Sequence, residues 1–257
     1  MLGAIVGDVI GSVHEWTATK TKDFPFFFPQ STFTDDSVLT VAVAEWILTG
    51  QNLVDLLHTY TDAYPGRGYG SRFYRWASAR VREPYNSFGN GAAMRVSPVG
   101  FAFDTMEKVL AWSKRSAEVT HNHPEGIRGA QATAAAIYLA RRVQDKDLIK
   151  RTLQSLFEYD LSLRLEQIRP TYKFNETCQR TVPQALAAFF ESTSYEDAIR
   201  NAISLGGDAD TLACITGGIA EAYYGGTPLN LAVPVRAMLD KQLVGVVDRF
   251  QERFGLV

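Results

Sequence analysis

Cysteine is scarce in this sequence: Cys178 and Cys214 are the only two among 257 residues, and neither belongs to a CxxC pair. The scarcity excludes a disulfide-dense scaffold and a thiolate zinc site, and it indicates two reduced, mostly buried thiols, with one disulfide between them as the alternative that the sequence leaves open. No run of about 20 apolar residues occurs, so we expect no membrane span. The N-terminus lacks the basic segment and long apolar core of a signal peptide, so a cytoplasmic protein is expected.

An excess of positive charge is also lacking. The formal net charge is −2, which does not favour nucleic acid as an electrostatic partner. Hydrophobic residues make up 46% and charged residues 21%, as in an ordinary globular protein with a sizeable core. Because no Pro/Gly/Ser-rich linker or internal repeat interrupts the chain, the simplest organisation is one domain over residues 1–257.

Convincing alternating strands are scarce, and helical patterns dominate, so we predict a single compact all-α domain with functional loops on one face. Residues 23–34 and 82–98 are rich in loop-forming residues and are predicted to be loops. The predicted helices are Ser37–Leu48 with Gly50 as its stop signal, Arg128–Val143, Pro183–Glu191, Tyr195–Ser204, Ala209–Tyr224 and Met238–Phe254.

Two short acidic motifs, Thr34-Asp35-Asp36-Ser37 and Gly206-Gly207-Asp208-Ala209-Asp210-Thr211, each directly precede a strongly apolar helix. Taken singly, each motif is explained by helix capping, since Asp, Ser and Thr favour the N-cap. A cap needs one side-chain oxygen, however, and each motif offers at least three. Helices this apolar have buried ends, where several clustered carboxylates need cations.

The donor types in these two motifs indicate the kind of metal. Carboxylates and hydroxyls are hard oxygen ligands, and neither motif contains Cys or His. This favours Mg²⁺, Mn²⁺ or Ca²⁺ over zinc. A pair of cations bridged by an Asp is the usual two-metal arrangement, provided that the two motifs meet in space.

Three glycine-rich segments could cradle a phosphate, although each alone is more simply a turn. They are Gly66–Ser71, Ser87–Ala92 and the N-terminal stretch with Gly7, Asp8 and Gly11. Phe88 could stack on a base, or anchor its loop in the core. One of His121 and His123 could reach a substrate, and the alternative is an ordinary hydrogen-bonded loop histidine. His58 fits a structural role. Glu15 by itself is simply a surface charge.

Together these motifs resemble the ADP-ribosylglycohydrolase family, which includes the dinitrogenase-reductase-activating glycohydrolases. The resemblance covers nearly the whole chain in order: GAIVGDVIGSVHE at 3–15, TDDS at 34–37, RGYGS at 67–71, SFGNGAAMR at 87–95 and LGGDADT at 205–211. It implies an all-α fold, two Mg²⁺ or Mn²⁺ ions, and removal of ADP-ribose from a modified substrate at C1″ of the distal ribose. Arginine is the leaving group that the family's habit favours.

The resemblance also implies roles for individual residues. Glu15 matches a catalytic acidic residue in a mobile flap, with Asp36 as the second choice for general acid or base. His121 matches a histidine near the distal ribose or phosphate. The metal ligands are expected to be Thr34, Asp35, Asp36, Asp208, Asp210 and Thr211. The ADP-ribose contacts are expected from Gly70, Ser71, Ser87, Phe88, Gly89 and Asn90, together with Gly91 of the same loop.

Two alternatives use the same residues. Carboxylate-bound metals beside glycine loops would also serve a phosphatase or a nucleotide pyrophosphatase, which would release phosphate or AMP rather than ADP-ribose. A catalytically silent ADP-ribose-binding module would retain the pocket and lose turnover, but both acidic motifs and Glu15 are intact.

Overall fold

The computed structural model describes residues 1–256, and within this range the regular structure is helical with no β-strand. The predicted all-α single domain is therefore confirmed. The helices are α1 (Leu2–Gly11), α2 (Asp35–Thr49), α3 (Leu53–Ala63), α4 (Ser71–Ser78), α5 (Gly91–Met94), α6 (Ser97–Ala102), α7 (Met106–Glu118), α8 (Pro124–Ala140), α9 (Lys146–Phe157), α10 (Leu165–Ile168), α11 (Cys178–Phe190), α12 (Tyr195–Ile203), α13 (Ala209–Tyr224), α14 (Leu229–Met238) and α15 (Lys241–Phe254).

Helix ends follow local capping chemistry. The Thr34 side chain accepts a hydrogen bond from the Asp36 amide at the start of α2, and Gly50 ends that helix in the left-handed conformation. His123 caps α8 through Nδ1, and Pro124 occupies its first turn, so α8 begins four residues before the predicted Arg128. Predicted helix 209–224 agrees with α13 at both ends.

Two predicted boundaries are wrong for identifiable reasons. The segment predicted as one helix over 238–254 contains the end of α14 at Met238 and all of α15. Asp240 separates them, because its side chain accepts hydrogen bonds from the amides of Gln242 and Leu243 and starts α15. Helix α11 begins at Cys178, not at Pro183, which lies inside the helix.

Two segments predicted as turns or loops are helical. Helix α5 and the start of α6 lie inside the predicted loop 82–98. The N-terminal stretch with Gly7 and Gly11 is neither a turn nor a phosphate cradle, since it forms the buried helix α1.

The glycines of α1 permit an unusually close helix contact. Gly3, Gly7 and Gly11 lie on one face, and a Cβ atom at Gly7 would stand 2.0 Å from the carbonyl oxygen of Ala213 in α13. Gly3 faces Gly217, and Gly11 faces Asp210, so the two helices run antiparallel. The end of α1 is thereby fixed beside the beginning of α13, where the second acidic motif lies.

Helices α2, α8, α11 and α12 pack against this pair and share one hydrophobic core with it. Cys178 and Cys214 are buried free thiols, as predicted. Among residues 1–256, no helix is both long and apolar enough to cross a bilayer.

Candidate active site

The N-termini of α2 and α13 converge, although 175 residues separate the two acidic motifs along the chain. The Thr211 hydroxyl donates to Oδ2 of Asp36 at 3.3 Å. Asp36, Asp208 and Asp210 are all at least 94% buried, with relative exposures of 2%, 6% and 5%. Helix dipoles favour negative charge at both N-termini, but they do not neutralise this many carboxylates.

Asp8 of α1 holds the first motif in place. Its Oδ1 accepts from the Thr34 hydroxyl at 2.6 Å, and its Oδ2 accepts from the amides of Thr34 and Ser37 at 2.9 and 3.1 Å and from the Ser37 hydroxyl. A side chain from another helix thus caps α2. The sequence reasoning named Asp8 only within a possible phosphate-cradling segment and not as a carboxylate of this site, although a lone carboxylate within an otherwise apolar helical segment was a usable signal.

Two groups of carboxylates have the spacing of metal ligands. One oxygen from each of Asp8, Asp36 and Asp210 lies within 4.8 Å of the others, and the same holds for Glu15, Asp208 and Asp210. Asp210 belongs to both groups, so one carboxylate connects two adjacent sites. Such an arrangement could hold metal ions of the hard-oxygen type.

Burial and mutual repulsion raise the pKa values of Asp36, Asp210 and Glu15. The pKa values of Asp36 and Asp210 lie well above the ordinary value, first because both are buried and then because neighbouring aspartates repel added charge. Burial, followed by Asp208 and Asp8, raises the pKa of Glu15 to about 7. Without a cation, the ionised cluster is therefore electrostatically unfavourable.

The loop 87–91 forms another wall of the cavity, and neighbouring backbone holds it in place. The Asn90 amide N–H donates to the carbonyl of Glu176 at 2.8 Å, and the Cys178 amide donates to the carbonyl of Phe88 at 3.0 Å. The Asn90 side chain donates to Oδ2 of Asp208 at 2.6 Å. This contact links the loop directly to the second acidic motif.

The beginning of α4 completes the cavity at a third side. Gly70 precedes the helix without a side-chain cap, so the first amides of α4 remain available to an anion. The Arg72 guanidinium donates to the Tyr85 carbonyl at 2.6 Å and brings positive charge to the same rim. The cavity lining thus contains both the acidic motifs and the cationic Arg72.

The mouth of the cavity carries exposed aromatic rings. Trp16, directly after Glu15, is 79% exposed and stacks on Phe174 with ring centroids 5.5 Å apart. Phe88 is 41% exposed and contacts the edge of His123. Exposed large aromatics grouped at a cavity entrance are typical of ligand contact surfaces.

Every residue that the sequence reasoning named as a site residue lines this single cavity of about 280 Å³. Glu15, the two acidic motifs, Gly70, Ser71, residues 87–91 and His121 come from six separate stretches of the chain. The lining residues that were not predicted include Arg72, Tyr85, Arg95, Phe174 and Glu176. Of these, Arg95 lay within a recognised motif, whereas the others had no sequence signal that separated them from surface residues. His58, in contrast, packs against Trp76, consistent with a structural role.

The fold and this carboxylate-rich cavity define a class of enzyme. The family model described as ADP-ribosylglycohydrolase matches residues 1–255. The chain therefore belongs to the ADP-ribosylglycohydrolase family and is a glycohydrolase.

Individual relatives support the assignment over most of the chain. ADP-ribosylhydrolase ARH3 of Xenopus tropicalis is 25% identical, covering 94% of this chain and 91% of that protein. ADP-ribosylarginine hydrolase Tri1 of Pseudomonas putida is 24% identical, covering 88% of this chain and 69% of that protein. A solved structure named ADP-ribosylglycohydrolase-related protein complex superposes with a TM-score of 0.69 at 23% identity, covering 98% of this chain and 96% of that one, and shows the same fold.

Proposed function

We propose that this cavity binds ADP-ribose beside two divalent cations, Mg²⁺ or Mn²⁺, and hydrolyses the N- or O-glycosidic bond at C1″ of the distal ribose. The observation that carries the proposal is the pair of carboxylate groups sharing Asp210, which line the same cavity as Arg72 and the start of α4. These two parts of the cavity are called its acidic end and its cationic end. The dinuclear site would occupy the first and the diphosphate the second.

The residues present fit a pair of hard cations. Oδ1 of Asp36 is buried and has no hydrogen-bond partner within residues 1–256, which suits an oxygen reserved for a cation. The ions would be held by Thr34, Asp35 and Asp36 from the first acidic motif and by Asp208, Asp210 and Thr211 from the second. When bound, Mg²⁺ or Mn²⁺ supplies Lewis acidity at the ribose end of the cavity.

The cationic end fits the ADP part. The amides at the start of α4 and the loop 87–91 offer backbone donors to the diphosphate, and Arg72 adds a positive charge. The half-exposed ring of Phe88 offers a surface on which the adenine can stack. This orientation directs C1″ of the distal ribose toward the acidic end.

Glu15 is the proposed general acid or base. Its carboxyl is within reach of Asp208 and Asp210, at the boundary between the acidic end and the mouth. With a pKa of about 7, Glu15 can both hold a proton for the leaving atom and accept one from attacking water near neutral pH. Asp36 fits this role less well, because Thr211 and the expected cation engage its oxygens.

Arginine is the proposed leaving group. A guanidinium is planar and cationic, so it can stack on Trp16 and Phe174 and approach Glu15 and Glu176 at the same mouth. The relative Tri1, which is named for ADP-ribosylarginine, supports this choice.

The decisive experiment incubates the protein with ADP-ribosylated arginine, serine and nucleic acid in Mg²⁺, in Mn²⁺ and in chelator. We expect cation-dependent release of free ADP-ribose, fastest from arginine. Release of AMP or phosphate would instead identify a phosphate-ester or pyrophosphate hydrolase, and binding of ADP-ribose without turnover would identify a silent module. Faster release from serine or nucleic acid would overturn only the choice of arginine.

Substitution of the proposed acid tests its role separately. Glu15→Gln should lower kcat by about 10²- to 10⁴-fold, the usual contribution of general acid–base catalysis, while ADP-ribose affinity changes little. Glu107→Gln is the matched control, since Glu107 is exposed at the start of α7. Unchanged turnover in Glu15→Gln would remove Glu15 from the mechanism.

A further inference from the structure

A buried arginine in the cavity lining has no carboxylate partner. Arg95 is completely buried, and no acidic side chain within residues 1–256 forms an ion pair with it. Its Nη2 donates to the Ser116 carbonyl at 2.7 Å and to the Thr120 hydroxyl oxygen at 2.8 Å. An uncompensated buried charge is costly.

The hydroxyl of Thr120 connects this arginine to His121. Oγ1 of Thr120 stands 2.7 Å from Nδ1 of His121, and Thr120 has no exposed surface. A guanidinium can only donate hydrogen bonds, so the hydroxyl oxygen accepts from Arg95. Within residues 1–256, the remaining partner of that hydroxyl is Nδ1 of His121.

The direction of the second hydrogen bond follows from the first. If Nδ1 carried a proton and donated to Thr120, the buried hydroxyl hydrogen would have no acceptor, at a cost of about 1–3 kcal/mol. The hydroxyl must therefore donate to an unprotonated Nδ1. The neutral imidazole then carries its single proton on Nε2.

The Nε2 atom faces the ligand loop. A Cβ atom at Gly91 would lie 3.2 Å from Nε2, and one at Gly89 would lie 3.6 Å from it, so the absence of side chains at these two positions leaves room for the ring. His121 also lines the cavity. Burial, followed by the charges of Arg95 and Arg72, lowers the pKa of His121 well below its ordinary value, so the ring remains neutral.

The geometry points to Arg95 and Thr120 as positioning residues that hold His121 in the Nε2–H form, a fixed neutral donor to an acceptor oxygen of the bound ligand. This inference rests on the proposed function only in naming that ligand as ADP-ribose. A neutral donor of fixed direction selects an oxygen acceptor, such as a phosphate or ribose oxygen, and rejects a ligand that presents an N–H or O–H donor at this point.

Nitrogen NMR of histidine-labelled protein tests the relay without any substrate. The spectrum of His121→Gln identifies the His121 resonances among those of the four histidines. In the wild type we expect a protonated Nε2 and an unprotonated, hydrogen-bonded Nδ1. Thr120→Val, which removes the hydroxyl and keeps the shape, should move the Nδ1 resonance toward that of a free ring nitrogen, and Thr120→Ser should restore it. A protonated Nδ1 in the wild type, or an Nδ1 resonance unaffected by Thr120→Val, would overturn the proposal.

The role of the charge is tested by the same measurement in Arg95→Met. The His121 ring should then take up a proton at a higher pH than in the wild type, and an unchanged titration would exclude Arg95 from the relay. Should this variant not fold, the two Thr120 variants still decide the direction of the hydrogen bonds.

Measurements of ADP-ribose binding test the part of the inference that depends on the proposed function. ADP-ribose should bind Thr120→Val about twofold to tenfold more weakly, with KM raised and kcat nearly unchanged, and Thr120→Ser should bind as the wild type does. Equal affinity in all three proteins would contradict the donor role of His121. If ADP-ribose does not bind the wild type at all, the proposed function fails, whereas the protonation state seen in the ligand-free spectra is unaffected.

Discussion

At the residue scale, the site contains several buried carboxylates whose negative charges repel one another unless a cation neutralises them. Asp36 shows this most clearly, because one of its oxygens is buried without a partner while Asp8, Asp35 and Asp208 all raise its pKa. A buried carboxylate of this kind lowers the stability of the metal-free protein, and its presence is explained by the cation that it would bind. Function and stability are therefore in opposition at this position.

Asp36→Asn tests that opposition. In chelator, the variant should unfold at a higher temperature than the wild type, by about 2–4 °C if the relief amounts to 1 kcal/mol in a chain of this size. The stabilisation by Mg²⁺ or Mn²⁺ and the turnover should both be lost. Thermal unfolding with and without chelator measures the effect, and Asp147→Asn, at an exposed position, is the control. A lower unfolding temperature in chelator would show that Asp36 is satisfied without a cation.

At the element scale, the contact between α1 and α13 determines where the catalytic groups lie. The glycine face of α1 brings the two backbones together, so Asp8 reaches α2 and Glu15 emerges beside Asp208 and Asp210. A pair of helices with ordinary side chains in the interface would stand 8–10 Å apart, too far for these contacts to form unchanged.

A single methyl group should disturb this contact. Gly7→Ala would place Cβ 2.0 Å from the Ala213 carbonyl oxygen, so the helices must separate at a cost of about 1–3 kcal/mol, with loss of activity. Denaturant unfolding measures the change. Gly245→Ala is the matched control: its Cβ would meet only the end of Arg249 at 3.9 Å in the middle of α15, and it should stabilise the protein by about 0.4–1 kcal/mol. Equal effects of the two substitutions would contradict the packing argument.

At the scale of the whole molecule, the cations of the proposed function would compete with protons for the same carboxylates. The pKa values of Asp8, Asp35, Asp36, Asp210 and Glu15 are all raised in the folded protein, mainly by burial. Protonation of these groups stabilises the folded protein at low pH. This contribution to the free energy of unfolding is lost as the pH rises through the raised pKa values. For Glu15, whose pKa is raised from 4.5 to about 7, the loss extends from pH 4.5 up to about 7.

The stabilisation by divalent cations should therefore grow with pH. The difference in unfolding temperature between Mg²⁺ and chelator should be small at pH 5 and should increase steadily toward pH 8, because the ligands must lose their protons to bind. Titration of the histidines changes the unfolding temperature equally in Mg²⁺ and in chelator, so its effect cancels in the difference. A difference that is constant with pH would show that these carboxyl groups are already ionised in the metal-free protein.

The sequence predicted the helical class and several helices because those signals are local. The apolar segment 209–224 begins after Asp208 and stops at Gly225, and both signals act within a few residues. The helix over 238–254 was predicted too long because apolar periodicity continues across the cap at Asp240. Helix α1 was missed because its glycines favour a turn when considered alone, and only the neighbouring α13 makes them suitable for a helix interface.

The sequence by itself determined which chemistry was available: hard oxygen donors at two helix starts, glycine loops, and motifs that resemble one family. Only the tertiary structure decided that these groups share one cavity, that Asp210 connects two carboxylate groups, and that Asp8, Arg72 and Arg95 belong to the same site. The reason is physical. Propensity and capping depend on neighbours along the chain, whereas the spacing of carboxylates and the burial of a charge depend on which helices pack together.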